Sequence, residues 1–294
     1  MSVRVEKWQA LGNDYLILER HELPFLLTPE RVRRLCDVHM GVGADGVLLL
    51  SQPANPEHVA SLRIFNPDGS EAELSGNGAR EAILYLRRHG WTELDEFAIE
   101  TVAGEIRPTI TGRDTCRVDM GRAGLTSKDF PGGPEDGRGQ LVADGRTWDF
   151  RHVSIGNPQC AIHVKNLTVL RDLDLGAIGP SIEGHELFPN RTNVSWYTEV
   201  ASEDGGHRAA IRARIFERGV GETLSSGTGA AGAAVAYSLR EGAASSSAVV
   251  VGLDGGELEV EIGARLQVHL TGWARPVFAG VLSEDFTREL DESE

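Results

Sequence analysis

Cysteine is scarce in this chain: Cys36, Cys116 and Cys160 are the only three in 294 residues. Thiols so few and so scattered make neither a disulfide framework nor a zinc site, and each reads as a small buried hydrophobe. Long apolar runs are missing too, and nothing approaches the length of a membrane span. The opening MSVRVEKWQA lacks the basic head and apolar stretch of a signal peptide, so a cytoplasmic location is expected. Positive charge is short, with 29 Lys and Arg against 44 Asp and Glu and a formal net charge of -15. Nucleic acid and anionic membranes select basic surfaces, so neither is expected as a partner, and a small molecule or a protein fits better. The nine histidines form no close ligand pair, and no metal is expected.

What remains is an ordinary globular composition, 40% hydrophobic and 25% charged, with enough length for one or two domains. Within it lies a repeat. RIFNPDGSEAELSGNGA, starting at Arg63, aligns without gaps on RIFERGVGETLSSGTGA, starting at Arg214. Arg, Ile, Phe, a shared Glu (Glu71 and Glu222) and the closing Ser, Gly, Gly and Ala are identical, far beyond chance for unrelated segments. A weaker echo, Gly12-Asn13-Asp14-Tyr15 against Gly156-Asn157-Pro158-Gln159, keeps the same order about half a chain apart. A duplicated domain follows, with residues 1–122 as the first copy and 123–274 as the second. A terminal strand over 275–294 is expected to return to the first copy. The stretch TSKDFPGGPEDGRGQ, rich in Pro, Gly and charge, suits the boundary or a long surface loop.

Each half reads as short strands and one main helix. RVEKW, SLRIF, FAIET and CRVDM in the first half and TWDFRHV, IRARIF, AVVVG and LEVEI in the second are β-rich, several with alternation. Helices are predicted after both Ser-Gly motifs, closed by Gly90 and Gly242, and another at Thr28-Pro29-Glu30, with Thr as N-cap and Pro in the first turn. The Ala and Gly content of residues 229 to 236 suits a helix packed very closely against strands.

Ser-Gly-Xaa-Gly at a helix start presents backbone N–H groups and the positive end of the helix dipole. Read plainly, Ser75 and Ser226 are N-caps. Two copies in related halves also suit a second reading, in which the halves enclose one carboxylate-bearing ligand between two side chains on opposite sides. Inversion at a carbon needs that arrangement, since one group removes a proton from one face and another delivers a proton to the other. Glu217 and Arg218, just upstream of the second loop, are either a surface ion pair of little consequence or part of a polar cluster around that ligand.

LGNDYLIL, FNPDGSEAELSGNGAR, GNPQC and ERGVGETLSSGTGAAGAA resemble, in that order, the signature blocks of the diaminopimelate epimerase family. The resemblance spans essentially the whole chain. It implies an α+β fold of two pseudo-symmetric domains, each a β-sheet or barrel curled around a central helix, that close over an amino acid between them. It also implies a homodimer that works without pyridoxal phosphate or any other cofactor. Carried over by position, it makes Asn13, Asn66, Asn157 and Asn193 ligands of the substrate's polar groups. Glu217 and Arg218 would hold its amino and carboxylate end, and Gly76, Asn77, Gly227 and Thr228 would offer helix-start N–H groups to the carboxylate.

The family's two acid-base residues are cysteines, and Ser75 and Ser226 stand in their places. A thiol titrates near 8.5 and an alcohol much closer to water, a gap of roughly 5 units that lowers the deprotonated fraction about 10⁵-fold, or ~7 kcal/mol. Gln159 stands where the family has a His to assist the thiol, and an amide orients a hydroxyl without taking its proton. Glu217 remains as a candidate base. Gly46 stands where the family often has Gln, and Glu81 where it often has a second Cys. Three functions fit this pattern: a two-base epimerase of LL- and meso-diaminopimelate in lysine and peptidoglycan precursor synthesis, a one-base isomerase or lyase using Glu217, and a non-catalytic amino-acid binder.

Overall fold

A computed structural model describes residues 2–73, 75–201, 208–242 and 247–293. The chain forms two compact units, Met1–Val118 with Gly272–Glu294, and Asp119–Thr271. The first begins with β1 (Arg4–Ala10), β2 (Asn13–Glu19), α1 (Pro29–Cys36), β3 (Val47–Ser51), β4 (Ala60–Phe65) and β5 (Glu71–Ala72). It continues through α2 (Gly76–Arg88), β6 (Ile99–Thr101), β7 (Gly104–Ile106) and β8 (Pro108–Gly112), and the chain leaves it within β9 (Thr115–Arg122). The second unit holds β10 (Arg138–Ala143), β11 (Arg146–Ser154), β12 (Pro158–His163), α3 (Leu167–Asp172), α4 (Leu175–Glu183), β13 (Asn193–Glu199) and β14 (Ala209–Glu217). Then come β15 (Gly221–Thr223), α5 (Gly227–Glu241), β16 (Ser247–Leu253), β17 (Gly256–Ile262) and β18 (Gln267–Trp273), before β19 (Arg275–Val281) and α6 (Glu284–Glu292) rejoin the first.

In the first unit the sheet order is β19-β1-β2-β3-β4-β6-β7, with β19 antiparallel to β1 so that Arg4 lies opposite Val281. Both faces are covered. The space above Leu48 belongs to α2, where a Cβ on Gly78 would lie 3.0 Å from Leu48 Cδ2. On the other face Leu16, Leu18, Val47, Leu49 and Phe65 pack with Val32 and Leu35 of α1 and Leu290 of α6. That alternation is the period of a strand buried on both sides. The terminal segment expected as strand over 275–294 is strand only to Val281. Ser283 then caps α6 by accepting from the Phe286 N–H, and Leu282 and Leu290 enter the core.

The second unit repeats the plan with order β10-β11-β12-β13-β14-β16-β17-β18-β9. One face meets α5, whose residues from Gly229 to Ala236 are all buried. The other packs Cys160, Ile162, Trp196 and Phe216 against Leu175, Ile178 and Ile182 of α4. The shared Arg-Ile-Phe now has a reason. Ile215 lies beneath Gly229 of α5, while Phe216 turns outward to Gly179 of α4. Arg214 crosses to Glu222 (2.8 Å) as Arg63 crosses to Glu71 (2.7 and 2.8 Å), tying each hairpin just ahead of its Gly-rich loop.

Candidate active site

Both serines cap their helices. Ser75 has extended backbone, and its Oγ accepts from the Gly78 N–H at 3.1 Å while its carbonyl accepts from Ala79 at 2.8 Å. Ser226 does the same with Gly229 (3.3 Å) and Ala230 (2.9 Å). Each is thus the N-cap of the plain reading, at a helix end whose first N–H groups have no acceptor within the helix.

In the first unit Asn77, next along the loop, donates to Asn13 Oδ1 at 3.2 Å and accepts from Arg80 at 2.5 Å. Arg80 is wholly buried and also donates to the Gly76 carbonyl at 3.0 Å, bracing the first turn from inside. Asn13 in turn donates to Asp45 at 2.8 Å, and Asp45 accepts the Asp14 N–H at 3.0 Å. Asn77, Asn13 and Asp45 are therefore joined in a chain on the loop that Ser75 opens, with Asp45 as a member that sequence reasoning missed. Tyr15 was missed as well: its hydroxyl donates to Ser75 Oγ at 3.2 Å. Its ring lies over Gly46, where a Cβ would come 2.6 Å from Tyr15 Cε1. Asn66 is occupied elsewhere, in the turn after β4, where its amide donates to Ser70 at 2.9 Å.

The second half-site echoes the first. Asn157 donates to Thr228 Oγ1 at 3.3 Å, the same pair of positions as Asn13 and Asn77. Gly12 and Gly156 both have the positive φ, 84° and 79°, that lets each turn present its Asn. Gln159 is fully buried and donates to Asn157 Oδ1 at 2.6 Å, so it orients that amide. Asn193 is spent on backbone: it donates to the Pro158 carbonyl (3.1 Å) and accepts from the Arg218 N–H (2.8 Å). It clamps the strand holding Gln159 to the turn holding Arg218. The exposed Arg218 guanidinium donates to the Asn190 carbonyl at 2.9 Å.

Glu217 ends β14 and accepts from Thr223 at 2.8 Å. Burial pushes its carboxyl above the usual range, and the hydroxyls of Thr223 and Ser226 partly offset this by favouring the charged form. A buried carboxylate with a raised pKa beside a serine hydroxyl is a base brought toward neutral pH. Glu81, in α2, is buried more deeply, and desolvation holds its carboxyl well above the carboxylate range.

Two other features lie apart from these residues. A cleft of about 470 Å³ beside the far end of α2 is lined by Arg87, Arg88, Asp95 and Arg113 among others, and by none of the predicted site residues. Glu19, His21 and Glu22 bring ligand atoms within 4.8 Å of one another. Both carboxylates there already have partners, Glu19 in Tyr85 and Trp91 and Glu22 in Arg4. His207 lies outside the described residues.

Two sheet-and-helix units, each with a serine-capped central helix, place the chain in a fold class with several solved members. A phenazine biosynthesis protein of the PhzF family from Bacillus anthracis matches with a TM-score of 0.70 at 20% identity, over 96% of this chain and 99% of its own. A hydroxyproline epimerase from Agrobacterium vitis matches with a TM-score of 0.67 at 15% identity, over 97% and 93%. Sequence narrows the class. The model of the diaminopimelate epimerase family matches residues 5–126 and 151–275. A diaminopimelate epimerase of a Cyanothece species is 40% identical over 96% of this chain and 100% of its own. One from a Synechococcus species is 41% identical over 95% and 97%. This chain belongs to the diaminopimelate epimerase family.

Proposed function

We propose that the protein interconverts LL- and meso-diaminopimelate by removing the α-proton from one face and returning a proton to the other, a step toward lysine and peptidoglycan precursors. The observation that carries this reading is the duplication of chemistry as well as of fold: each unit has a serine at the head of its central helix with an Asn from the echoing turn beside it. In this reading Ser75 and Ser226 are the two proton-transfer residues. Glu217 is the base behind Ser226, and Gln159 sets the amide of Asn157. Gly76, Asn77, Gly227 and Thr228 receive the carboxylate at helix N-termini, where anions are favoured. Asn13, Asn157 and Arg218 complete recognition of the polar groups, while Asn66 and Asn193, held by Ser70 and by backbone, fix the turns beside them. The reaction needs no cofactor, and a cytoplasmic homodimer is the working form.

A second reading follows from Glu217, a carboxylate whose pKa burial raises and which lies beside the Ser226 hydroxyl. A one-base isomerase would use it alone, with the serines as hydrogen-bond donors.

One experiment separates these. Purified protein is incubated in D₂O with LL- and with meso-diaminopimelate, and the α-proton signal is followed by NMR. Deuterium entering from both isomers with interconversion is the expected result. Exchange without interconversion favours the one-base reading, and binding without exchange leaves a binder. The rate is expected to fall as pH drops through the raised pKa of Glu217, because the base must be ionised, and Glu217→Gln is expected to abolish that dependence.

A further inference from the structure

The two serines have unlike surroundings. Ser75 Oγ accepts from two donors, the Gly78 N–H at 3.1 Å and the Tyr15 hydroxyl at 3.2 Å. A hydroxyl has two acceptor positions and one proton to give, so the bond left to Ser75 is donation of that proton. Two donors aimed at one oxygen also stabilise it as an anion. Ser226 accepts from Gly229, but its other neighbour is the Glu217 carboxylate, an acceptor. Its proton therefore has somewhere to go within the protein. One serine is built to release a proton outward and the other to pass one back.

Gly46 lies against both the Phe65 carbonyl and the Tyr15 ring: a Cβ there would collide with the carbonyl oxygen and come 2.6 Å from Tyr15 Cε1. A side chain at 46 would therefore displace the ring that carries the phenol to Ser75.

We propose that Tyr15 is the positioning residue through which Ser75 works as the acid of the pair. This rests on the epimerase reading. The Ser75 O–H bond breaks as its proton forms the new C–H bond with the electron pair of the substrate's α-carbanion. The Tyr15 O–H bond breaks as its proton re-forms the serine O–H, so the negative charge passes from carbon to the phenolate. In the reverse direction each proton moves back. A phenol titrates near 10 against about 8.5 for a thiol, so the relay reduces the handicap from about 10⁵-fold for a lone alcohol to roughly 30-fold.

Tyr15→Phe keeps the ring over Gly46 and removes only the hydroxyl. In the D₂O experiment with the full chain, its loss is expected to slow exchange about 10³-fold, near both the ~3 × 10³ that the relay arithmetic gives and the cost of removing one donor from a preorganised oxyanion site. In the S75C background the same change is expected to cost at most a few-fold, because a thiol ionises without the phenol. Equal losses in the two backgrounds, or no loss with Ser75 in place, overturn the proposal. Exchange by the unaltered protein tests the epimerase reading separately. A substrate-free measurement keeps the two apart: with ¹³Cζ-labelled tyrosine, Ser75→Ala is expected to move the titration midpoint of Tyr15. A midpoint left unmoved overturns the relay even if the protein proves to be an epimerase.

Discussion

At the scale of single residues, the site is paid for by buried groups that an inert core would not hold. Glu81 is the sharpest case, because α2 carries it into the interior where its charge has no water. Its folded pKa lies above its unfolded one, so between the two values the folded state holds the extra proton. Stability from this group is complete at low pH and is lost as pH rises through the folded value. Urea unfolding at stepped pH from about 5 to about 9 is therefore expected to show a falling stability that Glu81→Gln flattens. A slope unchanged in the variant would show that Glu81 does not titrate in that range. Arg80, beside it and also buried, limits the shift by favouring the carboxylate, so two ionisable side chains lie together beneath the first turn of α2.

At the scale of elements, the central helices work because they are thin. A Cβ on Gly232 of α5 would come 2.8 Å from both Cβ and Cγ of Gln159, and those atoms sit close to a β12 backbone that cannot retreat. Gly232→Ala gains about 1 kcal/mol of helix propensity but overpacks this contact, and a net loss of ~1–2 kcal/mol is expected by thermal or denaturant unfolding. Gln159 is also expected to lose its grip on Asn157. Much of this layer is readable in the sequence. The Ala and Gly content marks α5 as a tightly packed helix, Thr28-Pro29 marks the start of α1, and Gly242 closes α5 with φ of 64°. Other elements are hidden for physical reasons. Pro180 inside α4 looks like a helix breaker, yet the helix runs through it, capped in its first turn by Asp174 on the Ala177 N–H and closed at its end by the Gly184 N–H on the Pro180 carbonyl. The strand FAIET shrinks to Ile99–Thr101 because only those residues find the neighbours β4 and β7. At the site, the serines, Asn13 and Asn157 stand out because they fall inside a repeat. Tyr15 stands in the LGNDYLIL motif, but its hydroxyl meets Ser75 60 residues along the chain, a contact that no local spacing shows.

At the scale of the whole molecule, the first unit is assembled from both ends of the chain. Arg31 of α1 is buried and donates to the carbonyls of Leu290 (2.5 Å), Asp291 (2.8 Å) and Ser293 (2.7 Å), so α6 is latched by charge as well as by Leu290. Leu290→Ala is expected to cost ~2–5 kcal/mol, read as a lowered denaturant midpoint. If the two units unfold separately, the loss should appear in one transition only. The discontinuity also orders events at birth. The second unit is one unbroken stretch and can fold as soon as it emerges during synthesis, whereas the sheet that supports Ser75 lacks its edge strand β19 until Arg275–Val281 are made. A chain ended at Ala274 would keep all of the second unit and lose both β19 and α6 from the first, so the first unit closes only after the second has been made.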